Sequence, residues 1–392
     1  MNRITLSIIF SLTFFFSNAR EDISISIFTT AQGNDIYELE GHAALRIRKG
    51  NDIDCVINWG LFDFNSPNFV YRFVKGENDY KCGAMPTEYF LESYAREGRT
   101  VFEHYLNIPQ DAAQKVYDLV SVNLTPPNDV YRYNYVYDNC ATRPMSILEK
   151  AIGDTISYTD CDKDLNTFRK VMTHFHKNYP WYQFGIDLAL GSGIDKKITA
   201  REKIFAPVLL NKIIENSTYT LDGKTIRLSD GKHIYGDINR SIIEAPTPFF
   251  LTPLFVSLIV MLISIMMSIR DYKKKRINRM FDTAIYVPVI LCSLLLTFLI
   301  FVSSHEATSP NFNYLWLNPL SILILAGIWI KRAKKLAISS IIINFVTLIA
   351  YIMVISFGIQ EANIAFLPII ITILLRNITY ISIARWQKVN NI

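Results

Sequence analysis

The chain has 392 residues, half of them hydrophobic, with 40 basic and 35 acidic side chains and a formal net charge of +5. That length and apolar content exclude a disordered or fibrous chain and leave room for a folded domain plus a membrane part. Much of the positive charge sits in two short loops. With no zinc spacing, phosphate loop or basic-aromatic interleaving, it gives no reason to expect nucleic acid as a partner, and no metal or cofactor is called for.

Residues 1–19 read as a signal peptide. Arg3 supplies the basic start, residues 4–16 the apolar core, and Ser17-Asn18-Ala19 a small-residue cleavage site. Residues 20–248 then mix polar and apolar side chains with Gly, Asn and Asp turn clusters, enough for one domain with its own core. Residues 22–29 alternate through Ile23, Ile25 and Ile27, the pattern of a half-buried strand. Residues 40–48 and 54–60 read as a hairpin around Lys49-Gly50-Asn51-Asp52. A turn centred midway between residues 50 and 51 puts His42 opposite Trp59 and makes its neighbour Asn58 the candidate for orienting the imidazole; a one-residue slip would flip faces. Residues 86–120 look mainly helical, with Met85-Pro86-Thr87 as a start signal. After the tyrosines at 131, 133, 135 and 137 comes Cys140, and residues 141–151 have helical spacing. Cys140 is therefore expected near a helix N-terminus, where unpaired N–H groups lower a thiol pKa and bind an oxyanion.

After Pro246-Thr247-Pro248 the composition changes. Apolar runs at 249–269, 283–303, 315–330, 337–357 and about 359–381 suggest five membrane helices, the third short and the fifth carrying Arg376, which is expected to snorkel to the inner face. The 270–280 loop holds Arg270, Lys273, Lys274, Lys275, Arg276 and Arg279, and the 331–335 loop holds Lys331, Arg332, Lys334 and Lys335. The intervening loops, 304–314 and 358–363, hold neither Lys nor Arg. The positive-inside rule then places the basic loops and the C-terminus in the cytoplasm and residues 20–248 in the periplasm, with the protein in the inner membrane.

Of five cysteines, Cys292 falls in a predicted span and reads as a buried apolar residue. If Cys140 stays free, one disulfide among Cys55, Cys82 and Cys161 is open. A thiol and an imidazole are the minimum set for a nucleophile that carries an acyl group as a thioester. Taken singly, a cysteine and a histidine are more often structural, the tyrosines more often core, and Asp138-Asn139 an ordinary helix cap.

Several segments in order resemble the Lnb family of bacterial lipoprotein N-acyltransferases. They are residues 38–46 with their Gly41-His42 core, Asn58-Trp59-Gly60-Leu61-Phe62-Asp63-Phe64, Asn68-Phe69, Phe73-Val74-Lys75-Gly76, residues 94–99, Leu106-Asn107-Ile108, Tyr133-Asn134-Tyr135-Val136-Tyr137-Asp138-Asn139-Cys140-Ala141-Thr142-Arg143, Phe184-Gly185-Ile186-Asp187-Leu188 with Gly191, and Ser304-His305 through Asn311 to Trp316-Leu317-Asn318-Pro319. The resemblance implies an α+β, permuted papain-like (NlpC/P60-like) periplasmic domain, histidine before cysteine, followed by a five-helix transmembrane bundle. It implies Cys140 as nucleophile and His42 as base, with a phospholipid acyl donor and a diacylated lipoprotein acceptor. Asn58 as orienter comes from the hairpin register and not from the family. Asn139, Arg143, His305 and Asn318 stand as candidate substrate-binding residues, the last two also reading as ordinary interfacial polar groups. The rival readings are a peptidoglycan hydrolase of NlpC/P60 type, using the same dyad on water, and a non-catalytic envelope module.

Overall fold

The computed structural model describes residues 22–153, 156–240 and 242–390; the expected signal peptide lies outside the described residues. The strands are β1 (Ile23–Thr30), β2 (Ala43–Lys49), β3 (Ile53–Leu61), β4 (Asp79–Pro86), β5 (Val101–Leu106), β6 (Val130–Arg132), β7 (Ile156–Ser157), β8 (Thr218–Leu221), β9 (Lys224–Arg227) and β10 (Ser229–Tyr235). Seven of them form one antiparallel sheet in the order β10-β5-β1-β2-β3-β4-β6, and β7-β8-β9 form a small second sheet. Around them lie α1 (Phe69–Lys75), α2 (Thr87–Glu97), α3 (Gln110–Leu124), α4 (Thr142–Ile152), α5 (Phe168–Phe175), α6 (Pro180–Ala189), α7 (Ala200–Lys203) and α8 (Pro207–Asn216).

The alternation in β1 decides which face is which. Ile23, Ile25 and Ile27 join Leu45, Ile57 and Trp59 in the main core, which α3, α4, α5 and α8 complete. Phe28, Ala44 and Val56 point the other way, against Phe90 of α2. The α+β class is as expected. Within 86–120, however, the expected helix is interrupted by β5, whose six residues are fixed by ladders to β1 on one side and β10 on the other. Pairing on both edges overrides local propensity there. All five cysteines are free thiols.

The hairpin register also differs from the expectation. Leu45 pairs with Ile57 and Lys49 with Ile53, so the turn is centred on Asn51, half a residue later than predicted. His42 is then in line with Gly60 and not with Trp59. Side chains two apart share a face of a strand, so the slip puts Asn58 on the same face as His42 and sends Trp59 into the core.

Four helices among the described residues are long and apolar enough to cross a membrane: α9 (Pro253–Lys274), α10 (Arg279–Phe301), the stretch Lys331–Ser356 that contains α12 (Lys334–Ser356), and α13 (Phe366–Val389). The expected third span is instead a 3-10 turn at Phe312–Leu315 followed by the nine-residue α11 (Ser321–Trp329). Pro319 lacks an N–H, and Asn318 draws polar contacts away from a regular helix: its Nδ2 donates to Leu315 O (3.2 Å) and Asn344 Oδ1 (2.9 Å), and its Oδ1 accepts from Leu320 N. Irregular backbone at this depth is tolerated because the surrounding helices bury it. Asn318 is thus committed inside the bundle, not to a lipid path.

Two polar seams join the domain to the bundle. The loop after α10 satisfies the free carbonyls at the end of α1: Ser303 Oγ donates to Val74 O (2.8 Å), Ser304 N to Lys75 O (2.9 Å), Ser304 Oγ to Gly76 O (2.9 Å), and His305 Nε2 to Phe73 O (2.7 Å). His305 is accordingly a docking group. At the second seam, Asn311 and Asn313 donate to Leu188 O and Asp187 O (both 2.9 Å), and Asn363 donates to Asp187 Oδ2 (2.8 Å).

Arg376 does not snorkel. It lies buried between Asp271 (2.7 Å) and Asp282 (2.5 Å), tying α13 to α9 and α10. Arg376→Leu leaves two buried carboxylates without their cation, so it should cost about 3–5 kcal/mol. Thermal unfolding in detergent checks this, and an unchanged midpoint would remove the triad from the account of bundle stability.

Candidate active site

His42 stands one residue before β2, at the end of the sheet. Both of its peptide groups are held by Thr30: His42 N–H donates to Thr30 Oγ1 (3.0 Å) and Thr30 N–H donates to His42 O (2.8 Å). Gly41 makes the approach possible, because its φ is +83° and a Cβ there would lie 2.5 Å from Thr30 O. The imidazole Nε2 is 3.0 Å from Asn58 Oδ1. An amide oxygen only accepts, so the neutral ring carries its proton on Nε2 and leaves a lone pair on Nδ1. Tyr94 of α2 lies nearly parallel to the ring, centroids 6.5 Å apart, and Arg99 sits 4.8 Å over Tyr94.

Cys140 lies in the turn that leads into α4. Asn139 builds that turn. Its Oδ1 accepts from the N–H groups of Ala141 and Thr142 (both 2.9 Å), and its Nδ2 donates to Tyr135 O and Phe205 O (both 2.8 Å). The Asn139 amide is buried and fully committed, so it shapes the turn and is not a substrate contact. Arg143 binds Asp138 through Nε (2.8 Å) and lies 3.7 Å over the Tyr131 ring, which makes it a brace for the same turn.

The thiol reaches back to the sheet. The N–H groups of Ala43, Cys140 and Ala141 act on Sγ to favour the thiolate, so Ala43, directly after His42, links the two halves of the site. Burial works against them and prevails: the side chain is only 9% exposed, and the thiol is pushed up to about 11. This reverses the low thiol pKa expected from the helix N-terminus. Burial also lowers His42 below its usual value, more than the Asn58 bond raises it. At neutral pH the pair is therefore a neutral thiol beside a neutral imidazole.

Two further groups, both inside the segments that carry the resemblance but given no role there, complete the surroundings. Gly60, φ +88°, leaves open the space where a Cβ would come within 3.3 Å of Tyr133 and 3.9 Å of the Cys140 Cβ. Glu40, buried two residues before His42, accepts from Tyr135 Oη (2.6 Å) and lies 2.7 Å from His176 Nε2; His176 Nδ1 is 2.8 Å from Gln183 Oε1. Gln183 donates to Asp187, which Asn363 of the bundle also binds, so a buried polar chain runs from the site to the second seam. Among the described residues no group of three or more His, Cys, Asp or Glu side chains could hold a metal ion.

A buried thiol just before a helix, and an imidazole held by an asparagine and next in sequence to an N–H that acts on that thiol, sit in a sheet domain docked on apolar helices. That arrangement describes a membrane-tethered protein with a candidate thiol–imidazole site. Family models for the Lnb N-terminal periplasmic domain and the Lnb transmembrane domain match residues 16–174 and 245–388. The chain belongs to the Lnb family. No curated protein and no solved structure matches it.

Two outcomes check the geometry. Asn58→Ala should slow alkylation of Cys140 at pH 7 by about tenfold, as the ring loses the acceptor that keeps its proton on Nε2. A rate equal to the parent's would remove Asn58 from the site. Alkylation of Cys140, followed by peptide mass, should climb continuously above pH 8 toward the thiol's value of about 11. A plateau already reached below pH 6 would reveal a resting thiolate–imidazolium pair instead.

Proposed function

We propose that the protein is a membrane-anchored lipoprotein N-acyltransferase, moving an acyl chain from a phospholipid through a Cys140 thioester to the α-amine of a diacylglyceryl-cysteine. The observations that carry this reading are the action of the Ala43 N–H on the Cys140 thiol and the imidazole of the preceding residue held by Asn58, in a chain of the Lnb family. Helix α4, which opens at the nucleophile and packs on a sheet whose strand β2 begins at the base, is in keeping with a permuted papain-like arrangement.

The chemistry follows from the neutral pair. His42 Nδ1 takes the thiol proton as Sγ attacks the ester carbonyl, so the charge separates only as the carbon–sulfur bond forms. The N–H of Ala141 is already bound to Asn139, which leaves those of Cys140 and Ala43 to stabilise the oxyanion. Collapse breaks the ester carbon–oxygen bond, and His42 returns its proton to the departing lysophospholipid. The lipoprotein amine then attacks the thioester, and a carbon–nitrogen bond replaces the carbon–sulfur bond. The amine's proton passes through His42 to Sγ, which restores the thiol. A site this buried favours an amine over water as acceptor, since an acyl thioester survives only where water is kept out.

For topology we take the broken segment from the Phe312–Leu315 turn to Trp329 as the third pass of the chain. Helix α11 packs extensively on α12, and with this pass both basic loops and the C-terminus face the cytoplasm, as the positive-inside rule requires. The sheet domain then stands over the periplasmic face of the inner membrane.

The test is mass spectrometry of a lipoprotein's N-terminal lipopeptide from cells that lack their own N-acyltransferase. With the protein supplied, a third acyl chain is expected; with Cys140→Ala or His42→Ala, the diacyl form alone. A diacyl product in every case, with the protein exported and present in the membrane, would overturn the reading.

A further inference from the structure

The segment that follows β3 has an unusual surface. Four phenylalanine rings pack in series, with centroids 4.6 Å apart for Phe62 and Phe64, 5.1 Å for Phe64 and Phe69, and 6.1 Å for Phe69 and Phe73. A water-soluble domain would turn such a row inward. Here it faces out: Phe64 is 59% exposed and Val70 73%, and no residue of α1 is buried. An exposed apolar patch of this kind marks a contact surface.

Its position in the structure says what covers it. The ring of Tyr71 lies 6.1 Å from that of Phe298, in the last turn of α10. The residues that continue α10, Ser303 to His305, hold the carbonyls at the C-terminal end of α1. Phe301 and Val302, at the same end of α10, are themselves exposed. The patch therefore adjoins the outward flank of a membrane-spanning helix where that helix leaves the bilayer. Aromatic side chains concentrate at this depth, where a ring meets acyl chains on one side and head groups on the other. The charges of α1 agree, since Arg72 turns away from the rings to Glu77 O (3.0 Å) and Asp79 (3.3 Å).

We infer that the stretch from Leu61 to Lys75 is an interfacial wedge, seated among phospholipid acyl chains in the periplasmic leaflet. The wedge leads to the thiol. Phe62 packs on Tyr80 (5.3 Å), Tyr80 stacks on Tyr133 (4.3 Å), and Tyr133 closes on Gly60 next to Cys140. This lane of packed rings is an apolar link between the leaflet and the thiol. The lane rests on the acyl-transfer reading; the leaflet contact does not.

The experiment uses the full chain in phospholipid bilayers, with a photoreactive benzoyl-phenylalanine placed singly at Val70, at Phe301 on α10, or at Val122. Val122 is an exposed residue of α3, a helix packed on α4, β1 and β4. Irradiation followed by mass analysis should give phospholipid adducts at Val70 comparable with those at Phe301 and about tenfold above those at Val122. Adducts at Val70 no more frequent than at Val122, with Phe301 labelling well, would overturn the wedge. The adducts form without turnover and should persist in Cys140→Ala, so loss of the acyl-transfer reading would leave this result standing and remove only the lane.

Discussion

The geometry of the candidate site depends on the side chain of Asn139. One buried amide closes the turn before α4 from both ends, accepting from Ala141 and Thr142 and donating to Tyr135 and Phe205. Buried polar groups must be paired, and here the pairing itself fixes the backbone that carries the thiol. With that turn set, Sγ meets the first N–H of β2 and the imidazole stands one residue away. The sheet end supplies the complementary constraint, because Gly41 lets the chain come close enough to Thr30 for both His42 peptide groups to be bonded. Each partner is thus anchored by backbone contacts before any side-chain chemistry begins.

Burial then sets the chemical character of the pair. Three N–H groups around Sγ do not offset the loss of water, so the thiol stays protonated, while the imidazole is pushed toward its neutral form by the same desolvation. Both groups are therefore uncharged at neutral pH, and a hydrophilic electrophile meets a thiol and not a thiolate. This separates reactivity from mere exposure.

The two halves of the chain are joined by hydrogen bonds at two seams and by apolar contacts of α6, whose Phe184 and Leu188 pack against the bundle core. The end of α1 has carbonyls without intrahelical partners, and the loop after α10 supplies two serines and a histidine to meet them. The asparagines of the second seam do the same for the end of α6. Directional bonds of this kind fix orientation as well as contact, holding the sheet domain in one attitude over the helices. Within the bundle the break at Asn318-Pro319 is compensated by Asn344, and Arg376 by two aspartates, so the irregular and charged elements lie inward.

Much of this was legible in the chain. The apolar runs announced the bundle, the alternation of Ile23, Ile25 and Ile27 announced β1, and the spacing after Cys140 announced α4, because period and composition are local properties. The two family segments around His42 and Cys140 were equally visible. What the sequence could not decide was anything that depends on a partner distant along the chain. A half-residue shift in the hairpin turn moved Asn58 to the face of His42. Pairing on both edges made a strand of β5 inside an expected helical stretch. Asn139 and His305 changed from candidate substrate contacts to scaffold, and Arg376 found two carboxylates instead of the head groups. The sequence alone determined the type of most segments, strand, helix or span, with β5 and the third span as exceptions, since type follows largely from the local order of side chains. Only the tertiary structure decided the register, the burial of the thiol and the use of each polar group, since those follow from which surfaces exclude water together.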